Sequence, residues 1–213
     1  MRSRTQLPPG RHGLTREQVR ASQHERMLSA MAEAVAEKGY VRATVADVIA
    51  RAGVSRETYY QHFVDKEDCF LAAFDMAGEA VAQHVGEALD RPAAADRDRL
   101  GRADVALGAY LDALASEPVL ARTFLVEVYG AGERALARRV EVMERFVELL
   151  AGLIRPRDAR ERFACEAIVG AVSSMVTMRV AGGDHASLPA LRRPLMALAG
   201  DLLGETGSSA QAA

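Results

Sequence analysis

The fold class that this sequence predicts is all-α. Apolar residues recur at i, i+3, i+4 and i+7 in one segment after another, the spacing of a single helix face. The segments open on Thr, Ser or Asp and close at Gly or just before Pro, which are helix start and stop signals. No stretch alternates apolar and polar residues as a half-buried strand would, and no segment repeats another. Nearly half of the 213 residues are hydrophobic but only 5% are aromatic, so the core must be assembled largely from Ala, Leu and Val.

In order, residues 1–14 combine Arg2, Arg4, Arg11 and His12 with Pro8, Pro9 and Gly10, which predicts a flexible basic arm. Thr15 and Gln18 have the spacing of a capping box and open a helix that ends near Lys38, stopped by Gly39, with Met27, Leu28, Met31, Ala34 and Val35 as its stripe. Thr44 and Asp47 repeat that box. Val45, Val48, Ile49 and Ala52 then form two turns of apolar face, and Gly53 ends them. Ser55 opens a third, short helix to Phe63, and Asp65 with Asp68 opens a fourth from Lys66 to about Leu89.

Two short helices joined by a tight turn suggest a DNA-reading unit. The second carries Arg56, Glu57, Thr58, Tyr60, Gln61 and His62, groups suited to phosphate oxygens and base edges; Val54, Tyr59 and Phe63 are its expected anchors. Charge supports this polarity. Residues 1–66 hold 11 Lys+Arg against 7 Asp+Glu, whereas the rest hold 16 against 22, so the basic surplus lies where DNA would sit.

Thr44, Ile49-Ala50, Ala52-Gly53-Val54-Ser55, Tyr60-Gln61-His62-Phe63 and Lys66-Glu67 stand in one register that resembles the TetR family of bacterial transcriptional regulators. The resemblance implies that residues 15–66 form a helix-turn-helix DNA-binding domain. Residues 67–204 would then bind an effector and dimerise. It implies a ligand-responsive repressor bound to double-stranded operator DNA as a homodimer; the two unrelated cysteines and an N-terminus without an apolar signal core lead one to expect a cytoplasmic protein. On this reading Thr44, Ser55, Arg56, Tyr60, His62 and Lys66 contact phosphates, while Glu57, Thr58 and Gln61 face bases. Glu57 departs from the family pattern, where Gly is common and lets the backbone approach DNA closely.

The second half breaks first at Asp90–Asp98, around Pro92, and resumes as a helix through Tyr110 and Leu114 to Ser116. Further helices are expected from Pro118 to Gly130, Glu133 to Ile154, Ala159 to Ala181 and Leu188 to Leu203, before a disordered tail at 205–213. The abundance of Leu, Val, Met and Ala predicts a pocket for a small apolar effector. Tyr110, Leu114, Phe124, Val128, Met143, Phe146, Ser173 and Met178 are its candidate lining. The last two helices hold more apolar surface than a small domain buries alone. The family resemblance implies that they pair with a symmetry mate, with Ile168, Val172, Met175, Leu195 and Leu198 as the candidate contacts.

Other function classes find less support. The five histidines and two cysteines are scattered without metal-ligand spacing, and neither a nucleophile elbow nor a phosphate-cradling glycine loop occurs. No catalytic residue, metal site or cofactor is therefore expected. Ala167–Met178, the longest uncharged run near the end, is too short to span a bilayer, so no membrane partner is expected. Glu127 and Glu166 lie in apolar helical runs, where a carboxylate serves a pocket or pairs with an arginine such as Arg122, Arg134 or Arg179. The competing class is an all-helical interaction or ligand-binding protein that does not touch DNA.

Overall fold

The computed structural model describes residues 15–204; the basic arm and the tail expected at 1–14 and 205–213 lie outside them. Ten α-helices and two 3-10 segments make up the described chain, with no strand among the described residues. Helix α1 (Arg16–Lys38) starts at the Thr15–Gln18 capping box and stops at Gly39, whose φ of +77° suits glycine. Helix α2 (Val45–Ala52) starts at the reciprocal Thr44–Asp47 box and ends at Gly53 in the left-handed conformation. Helix α3 (Arg56–His62) is capped by the Ser55 hydroxyl, which accepts from the Thr58 N–H. Helix α4 (Lys66–Leu89) is capped by Asp65.

The remaining helices are α5 (Pro92–Ala95), α6 (Arg99–Ser116), α7 (Pro118–Leu125), α8 (Glu133–Ile154), α9 (Ala159–Ala181) and α10 (Arg192–Leu202). Two of them are shorter than the periodicity predicts. The helix expected from Pro118 to Gly130 tightens after Leu125 into a 3-10 turn, Glu127–Gly130, that buries Glu127 and Val128. The helix expected from Leu188 begins as a 3-10 segment, His185–Leu191, and becomes α-helical only at Arg192. Pro189 lies inside that segment, where its missing N–H removes an i→i−4 bond and its ring crowds the preceding turn.

One hydrophobic cluster runs from Met27 and Met31 of α1, through Phe70 and Phe74 of α4 and Phe124 of α7, to Val176 and Leu195. The core therefore does not break at residue 66. A second cluster at the far end joins Ala103, Ile154, Cys165, Ile168 and Leu203. Ion pairs fix α8 along α4: Arg138 donates to both oxygens of Asp75 at 2.7 and 2.9 Å, and Arg134 meets Glu67 at 3.4 Å.

Candidate nucleic-acid interface and ligand cavity

Helix α3 has only seven residues, too few to be stable alone. Tyr59, fully buried, and Phe63 hold it to the core. The Tyr59 hydroxyl donates to the Asp65 carbonyl at 3.0 Å, which also fixes the start of α4. Burial pushes the Tyr59 hydroxyl's pKa upward, and the Cys69 thiol beside it is raised, mainly by burial, to about 12. Both are thus neutral packing groups.

The opposite face presents Arg56, Glu57, Tyr60 and Gln61 to solvent. The Arg56 guanidinium lies over the Tyr60 ring, 5.5 Å from its centre, a cation–π contact that sets the two side chains together on the exposed face. Glu57 is exposed and forms no ion pair with a described residue. Ser55 and Thr58 share a 2.9 Å hydroxyl contact, and the Thr44 hydroxyl donates to Asp47 at 2.8 Å. These three hydroxyls shape the helix starts first. Asp47, bonded by Lys38 and Thr44, is held down to about 2 and stays ionised.

Gln61 and His62 share a groove with Arg16, Val19, Arg20 and Gln23 of α1. Sequence reading did not assign α1 to this surface, although Arg16, Arg20 and Gln23 follow the helical spacing of one face. Burial, then His24 and Arg20, depresses the His62 pKa below its ordinary value. His62 is therefore neutral at pH 7, a hydrogen-bonding group and not a cation.

Lys66 departs from its expected place on phosphate. Its ammonium donates to the carbonyls of Tyr40 at 2.9 Å and Ala43 at 3.2 Å and lies 4.1 Å above the centre of the Tyr40 ring. It ties the α1–α2 connection to α4. Lys66→Met is expected to lower stability by about 1–3 kcal/mol, the cost of leaving part-buried carbonyls without a donor. The salt dependence of DNA binding should stay unchanged; a thermal melt and a salt titration read the two effects separately.

In the second half, α4, α6, α7, α8, α9 and α10 enclose a cavity of about 100 Å³, measured to the centre of a water-sized sphere. Five of the expected lining residues border it: Tyr110, Phe124, Met143, Phe146 and Ser173. The other three do not. Leu114 and Val128 are buried in the main core, and Met178 is 72% exposed on the outer side of α9. Leu100, Leu107, Leu150, Ile154 and Leu203 complete much of the wall, and Arg139 contributes its one charged side chain.

The expected dimer residues also need correction. Ile168, Val172 and Leu195 line the cavity, and Met175 packs against the main core. Only Leu198, 40% exposed, faces outward. Helix α9 is apolar on both sides, so periodicity alone does not distinguish them. Its outer face, half a turn away, runs through Phe163, Glu166, Gly170, Ser174 and Met178, all exposed.

Glu127 has a structural place. Its carboxylate pairs with Arg122 at 2.9 Å and accepts the Tyr40 N–H at 2.9 Å, 87 residues away in sequence. Glu166, by contrast, is exposed.

The signature of bacterial regulatory proteins of the tetR family matches residues 27–73. An HTH-type transcriptional regulator of Mycobacterium bovis is 32% identical over 151 residues, 66% of this chain and 74% of that protein. The fatty acid metabolism regulator protein of Bacillus subtilis is 23% identical over 81% of this chain and 91% of its own. Among solved structures, the fatty acid degradation regulator FadR of Bacillus halodurans superposes with a TM-score of 0.72 at 24% identity, covering 85% of this chain and 95% of that one. FadR of Bacillus subtilis in complex with stearoyl-CoA gives 0.71 at 20% identity, covering 85% and 98%. With its helix-turn-helix and these relatives, the chain belongs to the TetR family of bacterial transcriptional regulators.

Proposed function

We propose that this regulator is a cytoplasmic repressor that leaves its operator when a long-chain, acyl-type molecule fills the cavity of the second half. The observation that carries this reading is the shape and chemistry of that cavity. Its wall on α8 runs from Arg139 to Ile154, about 22 Å at 1.5 Å per residue. A nearly all-apolar cavity drawn out along that helix suits one extended chain better than a compact ring system. The stearoyl-CoA bound to the Bacillus subtilis structural relative is a ligand of that kind.

Operator recognition is assigned to α3 and the first turns of α1. Gln61 and Glu57 face bases, Arg56 with Tyr60 meets backbone, and Arg16 and Arg20 add phosphate contacts. A short recognition helix reads few bases, so two copies must act on paired half-sites. The exposed face of α9 and α10, with Phe163 67%, Met178 72% and Leu198 40% exposed, supplies the surface on which they would pair. Release follows if the filled cavity favours a dimer whose recognition helices no longer match successive major grooves.

Operator selection with purified protein, followed by titration with long-chain acyl compounds, tests the reading. On the selected site, Gln61→Ala should relax preference at one base pair by about 1–3 kcal/mol. Arg20→Ala should instead weaken all DNA alike and reduce the salt slope by about one. A protein that selects no sequence, or an operator complex indifferent to every acyl compound, would contradict the proposal.

A further inference from the structure

Resting on the acyl-type reading of the cavity, we infer that Arg139 determines head-group specificity: the effector is a single apolar chain ending in an anion, and Arg139 receives that anion. Arg139 stands at one end of the slot. On α8 it is the first lining residue, with Tyr110 and Ser173 beside it, whereas Leu100, Ile154 and Leu203 cluster together at the other end. Its guanidinium donates to the Ser173 hydroxyl at 2.8 Å and lies 4.8 Å from the centre of the Tyr129 ring. Tyr129 is 55% exposed. The cation therefore sits where the apolar slot meets solvent.

What sets Arg139 apart is that it borders the apolar cavity and has no counter-charge. Its neighbour Arg138 meets Asp75 and Glu141, Arg134 meets Glu67, and Arg122 meets Glu127. Among the described residues no carboxylate pairs with Arg139. A part-buried cation bordering an apolar cavity loses hydration, and the Ser173 hydroxyl and the Tyr129 ring return only part of it without neutralising the charge. An anionic head group would restore that balance, and its chain would fill the apolar remainder. The Tyr110 hydroxyl, whose pKa burial raises, stays protonated there and is available as a donor.

A carboxylate on a free fatty acid and a phosphate on an acyl-CoA share this chemistry. The test uses palmitate, palmitoyl-CoA and hexadecanol in displacement of a neutral solvatochromic dye, with no DNA present. Both anions, or one of them, should bind at least tenfold more tightly than hexadecanol, and which one does so identifies the source of the charge. Arg139→Gln should abolish that advantage and leave hexadecanol unchanged, whereas Arg139→Lys should keep part of it. Equal binding of all three, or equal weakening of all three by Arg139→Gln, would overturn the inference while leaving an acyl-type cavity. If none of the three displaced the dye, the cavity reading itself would fall, and this inference with it.

Discussion

Replacing Phe74 with Ala is expected to cost about 3–5 kcal/mol of stability, the range for emptying an aromatic site in a packed core. Phe74 is fully buried, and its ring stacks on Phe124 with centroids 4.9 Å apart and planes 25° from parallel. Space for that stack depends on Gly78, since a Cβ there would lie 3.1 Å from the Phe124 ring. The packing cannot easily close the hole. For a chain of this size the loss corresponds to a fall in midpoint temperature of roughly 6–20 °C. Because Phe124 also walls the cavity, acyl binding should weaken in step, whereas Phe74→Leu should recover most of both. Urea unfolding followed by circular dichroism gives the first effect and dye displacement the second. A variant as stable as wild type would mean that this junction is far looser than its packing implies.

The second large effect is expected at Glu127, on the coupling between the two ligands. Cavity and operator surface are joined through a short sequence of contacts: Phe124 and Leu125 on the cavity wall, then Glu127, then the Tyr40 N–H, then the Tyr40 carbonyl held by Lys66. A hundredfold release of operator requires a coupling of about 2.7 kcal/mol. Glu127→Gln keeps the shape but removes the charge that holds Arg122 and Tyr40 together. We expect release to shrink to a few-fold, with operator affinity in the absence of effector nearly unchanged and stability lower by about 1–3 kcal/mol. Linkage makes the check stringent: operator must weaken effector binding by the same factor by which effector weakens operator binding, in wild type and variant alike. Full hundredfold release in Glu127→Gln would place the coupling elsewhere, with the Arg138–Asp75 clamp between α8 and α4 the next segment to test.

The parts of this architecture that were legible in the sequence are those governed by local chemistry. Thr15, Thr44, Ser55 and Asp65 are caps whose partners lie three residues away, and each forms as its spacing requires. What the spacing does not contain is long-range choice. Lys66 looks like a phosphate ligand until Tyr40, 26 residues earlier, is folded beneath it. Helix α9 carries large apolar residues on both sides, so no periodicity could say that Ile168 and Val172 face inward and Phe163 and Met178 outward. The cavity residues were half legible for the same reason: Phe124 and Val128 lie one turn apart, but the 3-10 turn beginning at Glu127 rotates the second away from the slot. Arg139 was missed because one arginine among the four on α8 is distinguished only by bordering the cavity without a carboxylate partner, a property of the folded chain.

The unbroken core across residue 66 bears on how new sensors are assembled from such proteins. Grafting one regulator's DNA-reading half onto another's sensing half treats the join as a hinge between separable modules. Here a cut at 66 would pass through a shared interior, leaving Met27, Met31 and Val35 of the first part facing Phe70, Phe74, Phe124 and Leu125 of a stranger. The Glu127–Tyr40 bond would then join residues of different ancestry. A workable chimera must carry the matching faces of α4 and α7 along with the first three helices. The transferable unit is therefore defined by its packing surface, and it is discontinuous in sequence.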